Sequence, residues 1–308
     1  MYIFRRFSQL LLLASLLLFG VYLFKNRASV DTKPPVISVG DNLIEISVAD
    51  GEQKLLEGVT VTDTKDGDIS DSLFVESISN FYSGGKRLVT YVAFDSDNHL
   101  SRATREIQYT DYSSPEFVLT EPFQYYPGSV NLKISAKDCL DGDITSAIKL
   151  ISDDPITTDQ IGEYEVSFQV ANSAGDVSTI PVMIEILDPN KQYIPHIALD
   201  RYIVYIDQGE KFKAGNYLQS VILGNREYEI VDSSKKEDSE DSEDSEDDED
   251  NLVNNKEMTI DKSLIKIEGS KNVHTDEAGT YRVKYSVSLK LSNNETVTGH
   301  TYLYVVVR

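Results

Sequence analysis

Along most of this chain apolar and polar residues alternate one by one. In the clearest stretch Tyr281, Val283, Tyr285, Val287, Leu289 and Leu291 share one side of an extended chain, and Arg282, Lys284, Ser286, Ser288 and Lys290 share the other. A period of two puts successive side chains on opposite faces of a β-strand, whereas a helix would scatter the same residues around its circumference. The pattern predicts a half-buried strand with one face in a core and one in water. Two earlier segments repeat it, and each of the three opens on glycine: Gly85-Lys-Arg-Leu-Val-Thr-Tyr-Val-Ala93, Gly162-Glu-Tyr-Glu-Val-Ser-Phe-Gln-Val170 and Gly279-Thr-Tyr-Arg-Val-Lys-Tyr-Ser-Val287. Short polar turns follow, such as Asp95-Ser-Asp-Asn98 and Asn172-Ser-Ala-Gly-Asp176, and then further apolar runs (Ile107 and Tyr109; Ile180, Val182, Ile184 and Ile186). That order predicts antiparallel hairpins.

One segment breaks the pattern. Phe7 to Phe24 is apolar except for Ser8, Gln9, Ser15 and Gly20, with Arg5 and Arg6 before it and Lys25 and Arg27 after it. As a helix it reaches roughly 27 Å, close to a hydrocarbon core of about 30 Å. The expectation is an N-terminal transmembrane signal anchor over residues 1–30. A cleaved signal peptide is the competing reading, but the run is longer than its usual apolar stretch and ends without a small-x-small cleavage pattern. The basic flanks are balanced, so charge alone leaves the orientation open. The remainder is expected on one side of the membrane, outside the cytoplasm.

A second landmark supports an internal repeat. Asp63-Thr-Lys-Asp-Gly-Asp-Ile-Ser70 and Asp138-Cys-Leu-Asp-Gly-Asp-Ile-Thr145 match as D-x-x-D-G-D-I-[ST], 18 and 20 residues ahead of the strand glycines Gly85 and Gly162 when counted from Gly67 and Gly142. Proline punctuates the chain at Pro34-Pro35, Pro115 and Pro189, where it stops one ladder and starts the next. The predicted fold class is all-β: three tandem Ig-like β-sandwiches over residues 34–111, 114–188 and 193–308, preceded by one transmembrane helix. From Gly162 to Gly279 the spacing exceeds that from Gly85 to Gly162 by 40 residues. Module 3 is therefore expected to carry an acidic, disordered insertion at about 232–258, within which Glu237 to Asp250 holds only Glu, Asp and Ser.

Asp159-Gln-Ile-Gly-Glu-Tyr-Glu-Val166 and Asp276-Glu-Ala-Gly-Thr-Tyr-Arg-Val283 resemble the entry to the F strand of immunoglobulin domains, with Tyr164 and Tyr281 as corner tyrosines and Val166 and Val283 at the inward place usually held by cysteine. Module 1 has Arg87 at the tyrosine position, so its corner is expected to be looser. Together with the D-G-D-I turns, residues 34–188 resemble the bacterial Ig-like module named after pesticidal crystal proteins, and its hyalin-repeat cousin. The third unit resembles it only through its terminal strands. The resemblance implies tandem modules on secreted or anchored bacterial proteins, serving as stalks or adhesive units without catalytic residues.

Composition narrows the partners. Lys+Arg total 29 against 51 Asp+Glu, a net charge of −22, which disfavours nucleic acid as a partner. The one cysteine, Cys139, excludes an intramolecular disulfide and any cysteine-based zinc cluster. No P-loop, G-x-S-x-G elbow or H-E-x-x-H occurs, and His99, His196, His274 and His300 stand apart in sequence, so no convergent site is expected of them. The D-G-D turns are the remaining ligand candidates. Asp63, Asp66 and Asp68, with Asp138, Asp141 and Asp143, offer hard oxygen donors suited to Ca²⁺; the same spacing equally makes Asx-turns in which Asp bonds nearby backbone amides. The expected function is a non-enzymatic, membrane-anchored cell-surface protein acting as an adhesive or spacer stalk. Its partners would be the membrane, through the helix, and a surface protein or cell-wall glycan. The alternatives are an accessory subunit of a cell-envelope assembly and a hydrolase with a site in module 3.

Overall fold

The computed structural model describes residues 2–28, 31–82, 85–151, 159–191, 193–232, 253–254, 258–291 and 293–308. The acidic tract Glu237–Asp250 lies outside the described residues.

The N-terminal apolar run is a single helix, Tyr2–Ala28, with no acidic residue in its first turn. Within it Phe4–Lys25 is long and apolar enough to cross a membrane by length and composition, a standard that N-terminal signal sequences also meet. None of that window is buried, and Phe4, Leu18 and Phe24 are 71–80% exposed.

Each of the three modules follows one plan. In module 1 a three-stranded sheet (Val36–Val39, Val59–Asp63, Gly67–Asp68) and a four-stranded sheet (Leu43–Ile46, Leu100–Tyr109, Lys86–Phe94, Phe74–Ile78) enclose the core. The opening strand is split: Val36–Val39 pairs antiparallel with Val59–Asp63, and Leu43–Ile46 then pairs parallel with Leu100–Tyr109. Module 2 repeats the split with Glu116–Val118 and Gln124–Tyr125, and module 3 with His196–Leu199 and Ile203–Ile206. Splitting one strand between two sheets covers an otherwise free edge of each. The predicted hairpins are the longest ladders, Gly162–Ala171 against Val177–Ile186 and Gly279–Lys290 against Thr296–Val307. Val166 and Val283 are buried in these strands, as is Val89 in Lys86–Phe94 of module 1.

Local departures have physical causes. Module 1 contains a short helix, Glu52–Leu56, that alternation does not announce. It is held by Arg105, a buried residue whose guanidinium donates to Leu55 O at 2.5 Å, Glu57 O at 2.9 Å and the Tyr91 hydroxyl at 3.1 Å. In module 3 the D-G-D turn is replaced by the strand Arg226–Val231, antiparallel to Leu218–Leu223, and the chain returns as Thr259–Asp261 parallel to it. Residues 232–258, between Val231 and Thr259, make up 27 of the 40 extra residues, and of them Val253–Asn254 pairs with Thr259–Ile260. At Gly299 a Cβ would lie 1.7 Å from Pro195 O, so only glycine allows that approach.

Residues Met1–Tyr112 and Ser113–Arg308 are two separate compact units. In the second, modules 2 and 3 share one continuous buried apolar cluster. Their four-stranded sheets meet face to face. The backbone N–H of Met183 donates to the Tyr304 hydroxyl at 2.6 Å, that of Phe117 donates to the Tyr205 hydroxyl at 2.6 Å, and Arg282 pairs with Glu165 at 2.9 Å. The polar side of the Tyr281–Leu291 strand was expected to face water; instead Arg282 and Lys284 stand over Tyr302 and turn toward glutamates of module 2.

Candidate functional site

The acidic turns come first, because sequence singles them out. Gly67 and Gly142 take φ of 78° and 72°, the left-handed region that lets each turn close. Asp63 Oδ1 accepts from the amides of Lys65 (2.7 Å) and Asp66 (2.9 Å), and Asp138 Oδ1 from those of Leu140 (2.9 Å) and Asp141 (3.1 Å). Asp66 reaches across to the next hairpin and accepts from Ser96 N and Oγ; Asp141 does the same with Ser173 N and Oγ. Asp68 and Asp143 accept from Ser70 and Thr145. The serine and threonine donors hold the Asp68 and Asp143 carboxyls below their ordinary range. These are Asx-turns that clasp two loops of a sandwich together. The six candidate aspartates do not bring three ligand oxygens together in either turn.

The turns differ at one point. Asn172 Nδ2 donates to Asp138 Oδ2 at 3.1 Å, while in module 1 the matching place holds Asp95, which faces His99 Nδ1 at 2.7 Å. Asp63 Oδ2 is left buried without a donor.

The seam between modules 2 and 3 brings together groups that sequence leaves far apart. His300 Nε2 lies 2.5 Å from Glu163 Oε1 and 3.4 Å from Glu185 Oε2, and the three ligand atoms all fall within 4.8 Å of one another. Glu163 and Glu185 sit on the two hairpin strands of module 2, and His300 on the last strand of module 3. A second layer orients them. The Tyr302 hydroxyl donates to Glu163 Oε1 at 2.8 Å, and Gln124 Nε2 donates at 2.7 Å to both Glu185 Oε2 and the His300 carbonyl. Gln124 Oε1 in turn meets His196 Nδ1 at 3.1 Å. Gln124 thus links the His196 ring to the His300 backbone carbonyl. Burial would raise the Glu163 carboxyl, but the Tyr302 hydroxyl and the charges of His300 and Lys284 outweigh it and hold it low. Burial pushes Glu185 up and His196 down. A cavity of about 20 Å³, room for a single water, shares Gln124, Glu185 and Tyr302 with this cluster.

A third feature is the outer face of the larger sheet in module 1. Phe74 and Phe94 stack there with centroids 6.1 Å apart, both about 40% exposed, and Leu88 and Leu100 are exposed on the same face. Arg102 forms a bidentate pair with Glu76 (2.7 and 2.6 Å) beside them. Cys139 is exposed, its thiol 3.2 Å from Ser113 O. His274 packs edge-on against Tyr281.

No protein-family model matches the chain. It is 26% identical over 136 residues to an 81.3 kDa protein of Acholeplasma phage L2 (44% of this chain, 17% of that protein) and 31% identical over 121 residues to the pesticidal crystal protein Cry22Aa of Bacillus thuringiensis (37% and 16%). The chain thus spans about a sixth of the length of either relative. Among solved structures, the CBM51-2 (in complex with GlcNAc) and INT domains of Clostridium perfringens ZmpB match 47% of this chain and 26% of that one, at 25% identity and a TM-score of 0.21. The protocadherin gamma-B4 extracellular domain matches 90% and 50%, at 12% identity and a TM-score of 0.19.

Proposed function

We propose that this chain is a non-enzymatic, membrane-tethered protein of the cell surface whose first module docks a protein partner. One observation carries the reading. At the third residue after each strand glycine the outer face carries Leu88 in module 1, Glu165 in module 2 and Arg282 in module 3. Glu165 and Arg282 bind each other, so this face is a protein interface within the chain. The same face of module 1 exposes Leu88, Phe74, Phe94 and Leu100 beside the ion pairs Arg102–Glu76 and Lys86–Glu106. Aromatic side chains placed like this supply large contact area with little entropy loss. The helix supports the tether, since its apolar side chains find no cover among the described residues and lipid would cover them.

The test has two parts. The intact chain should float with phosphatidylglycerol-containing vesicles, and a chain lacking residues 2–28 should not. Crosslinking in the native envelope should capture a partner through module 1, with Phe74→Ser/Phe94→Ser reducing capture at least tenfold while leaving the fold unchanged. Binding of cell-wall glycan through the same two phenylalanines would replace the protein reading with a lectin-like one. Capture of one stoichiometric membrane protein would make the chain an accessory subunit of an envelope assembly.

A further inference from the structure

We infer that Glu163, Glu185 and His300 form a zinc site that cross-braces modules 2 and 3. Tetrahedral zinc with bonds of about 2.0–2.2 Å keeps its ligand atoms roughly 3.4 Å apart. Here the pairs at His300 Nε2 measure 2.5 and 3.4 Å, and all three atoms lie within 4.8 Å, so rotamer adjustments suffice to admit an ion. The donor set points to a transition metal. Imidazole nitrogen with two carboxylates suits zinc, whereas Ca²⁺ takes six to eight oxygens. The outer layer that metal ligands need is already built: Tyr302 holds Glu163, and Gln124 holds Glu185 together with the His300 backbone. Charge agrees as well. Once the proton between Glu163 and His300 is displaced, the two carboxylates face one nearby ammonium among the described residues, Lys284 Nζ at 3.8 Å from Glu163, which leaves one negative charge for the cation to offset. Zinc takes the place of the proton in the Glu163–His300 hydrogen bond, and that proton leaves to solvent. Two ligands come from one module and the third from the other, separated by 137 residues between Glu163 and His300, so the ion ties the two sheets together.

The test uses the full chain in detergent micelles, stripped with EDTA and titrated with zinc chloride, with calcium chloride in parallel. Calorimetry should show one zinc per chain at micromolar affinity, and a melt should show the unit of modules 2 and 3 shifted upward by several degrees. His300→Ala should weaken zinc at least tenfold and abolish the shift. X-ray absorption at the zinc edge of the unmutated chain should show one imidazole and otherwise oxygen. An all-oxygen shell would assign the ion to the acidic tract, and two or more imidazoles to another histidine set. Either result would overturn the site, as would equal zinc affinity in the His300→Ala chain or an equal response to calcium.

Discussion

Asp63 and Asp138 open the two acidic turns, and a single neighbour separates them. In module 2 Asn172 gives Asp138 Oδ2 a donor; in module 1 Asp95 cannot, and Asp63 Oδ2 is buried with its hydrogen-bonding capacity unused. An unmet buried acceptor costs about 1–3 kcal/mol. Asp95→Asn keeps the Oδ1 that accepts from Asp97 and His99 and, by the place Asn172 holds in module 2, turns an N–H toward Asp63 Oδ2, at the expense of the Asp95 Oδ2 contact with His99 Nδ1. The expected outcome is a stabilisation of module 1 by about 1 kcal/mol, read as a higher urea midpoint for residues 31–112 with an unchanged m-value. An unchanged or lower midpoint would show that Asp63 is satisfied another way. Arg105 works in the opposite sense. Its buried guanidinium serves two carbonyls at the end of the short helix and the Tyr91 hydroxyl, an arrangement that also suits a cation at a helix C-terminus. Arg105→Met strands those acceptors and should cost about 2–4 kcal/mol in the same unfolding experiment. The acidic turns were legible in the sequence down to the residue. The orphan at Asp63 was not, because it depends on a side chain 32 positions away.

At the level of elements, the two tyrosine corners form as the sequence pattern predicts. The Tyr164 hydroxyl donates to Gln160 O at 3.0 Å and the Tyr281 hydroxyl to Glu277 O at 3.0 Å, each bridging four residues back across the entry to its strand. Tyr164→Phe and Tyr281→Phe remove one exposed hydrogen bond each and should cost about 0.5–1.5 kcal/mol apiece, measured by thermal melts of the whole chain. Module 1, expected to be looser here, has its own fastening. Arg87 Nε donates to Ser79 O at 2.6 Å, and its guanidinium lies 5.4 Å over the Phe81 ring. The three sandwiches and the helix were readable because alternation and apolar runs are local properties of the chain. The Glu52–Leu56 helix was missed because five residues carry too short a pattern to stand out, and a distant arginine stabilises them.

For the molecule as a whole, the pairing of modules 2 and 3 sets the response to acid. Burial of His196 disfavours its charged form, so its folded pKa lies below its ordinary value. Below about pH 6.5 the unfolded chain takes up that proton first. Stability supplied by neutral His196 is therefore present above that pH and is lost as pH falls toward the folded pKa. Glu185 acts with the other sign: burial raises its carboxyl, so its contribution is present in acid and is lost as pH rises through the folded value. Between pH 6.5 and 5 the unit of residues 113–308 should lose more thermal stability with His196 than with glutamine in its place, so His196→Gln should shift that slope toward stability in acid. An identical slope in the variant would assign the acid response to other groups.

Period-two alternation, the N-terminal apolar run and the D-G-D turns determined by themselves that this is an all-β chain of repeated sandwiches behind one long apolar helix, because each signal acts between near neighbours. Which faces meet was decided only in three dimensions. Glu165 and Arg282 hold equivalent places with opposite charge, a hint of pairing in the sequence, yet Glu163, Glu185, Gln124, His196 and His300 gather only once two sheets close over them. Contacts spanning 72 to 176 residues leave no periodicity along the chain, so folding alone brings them together.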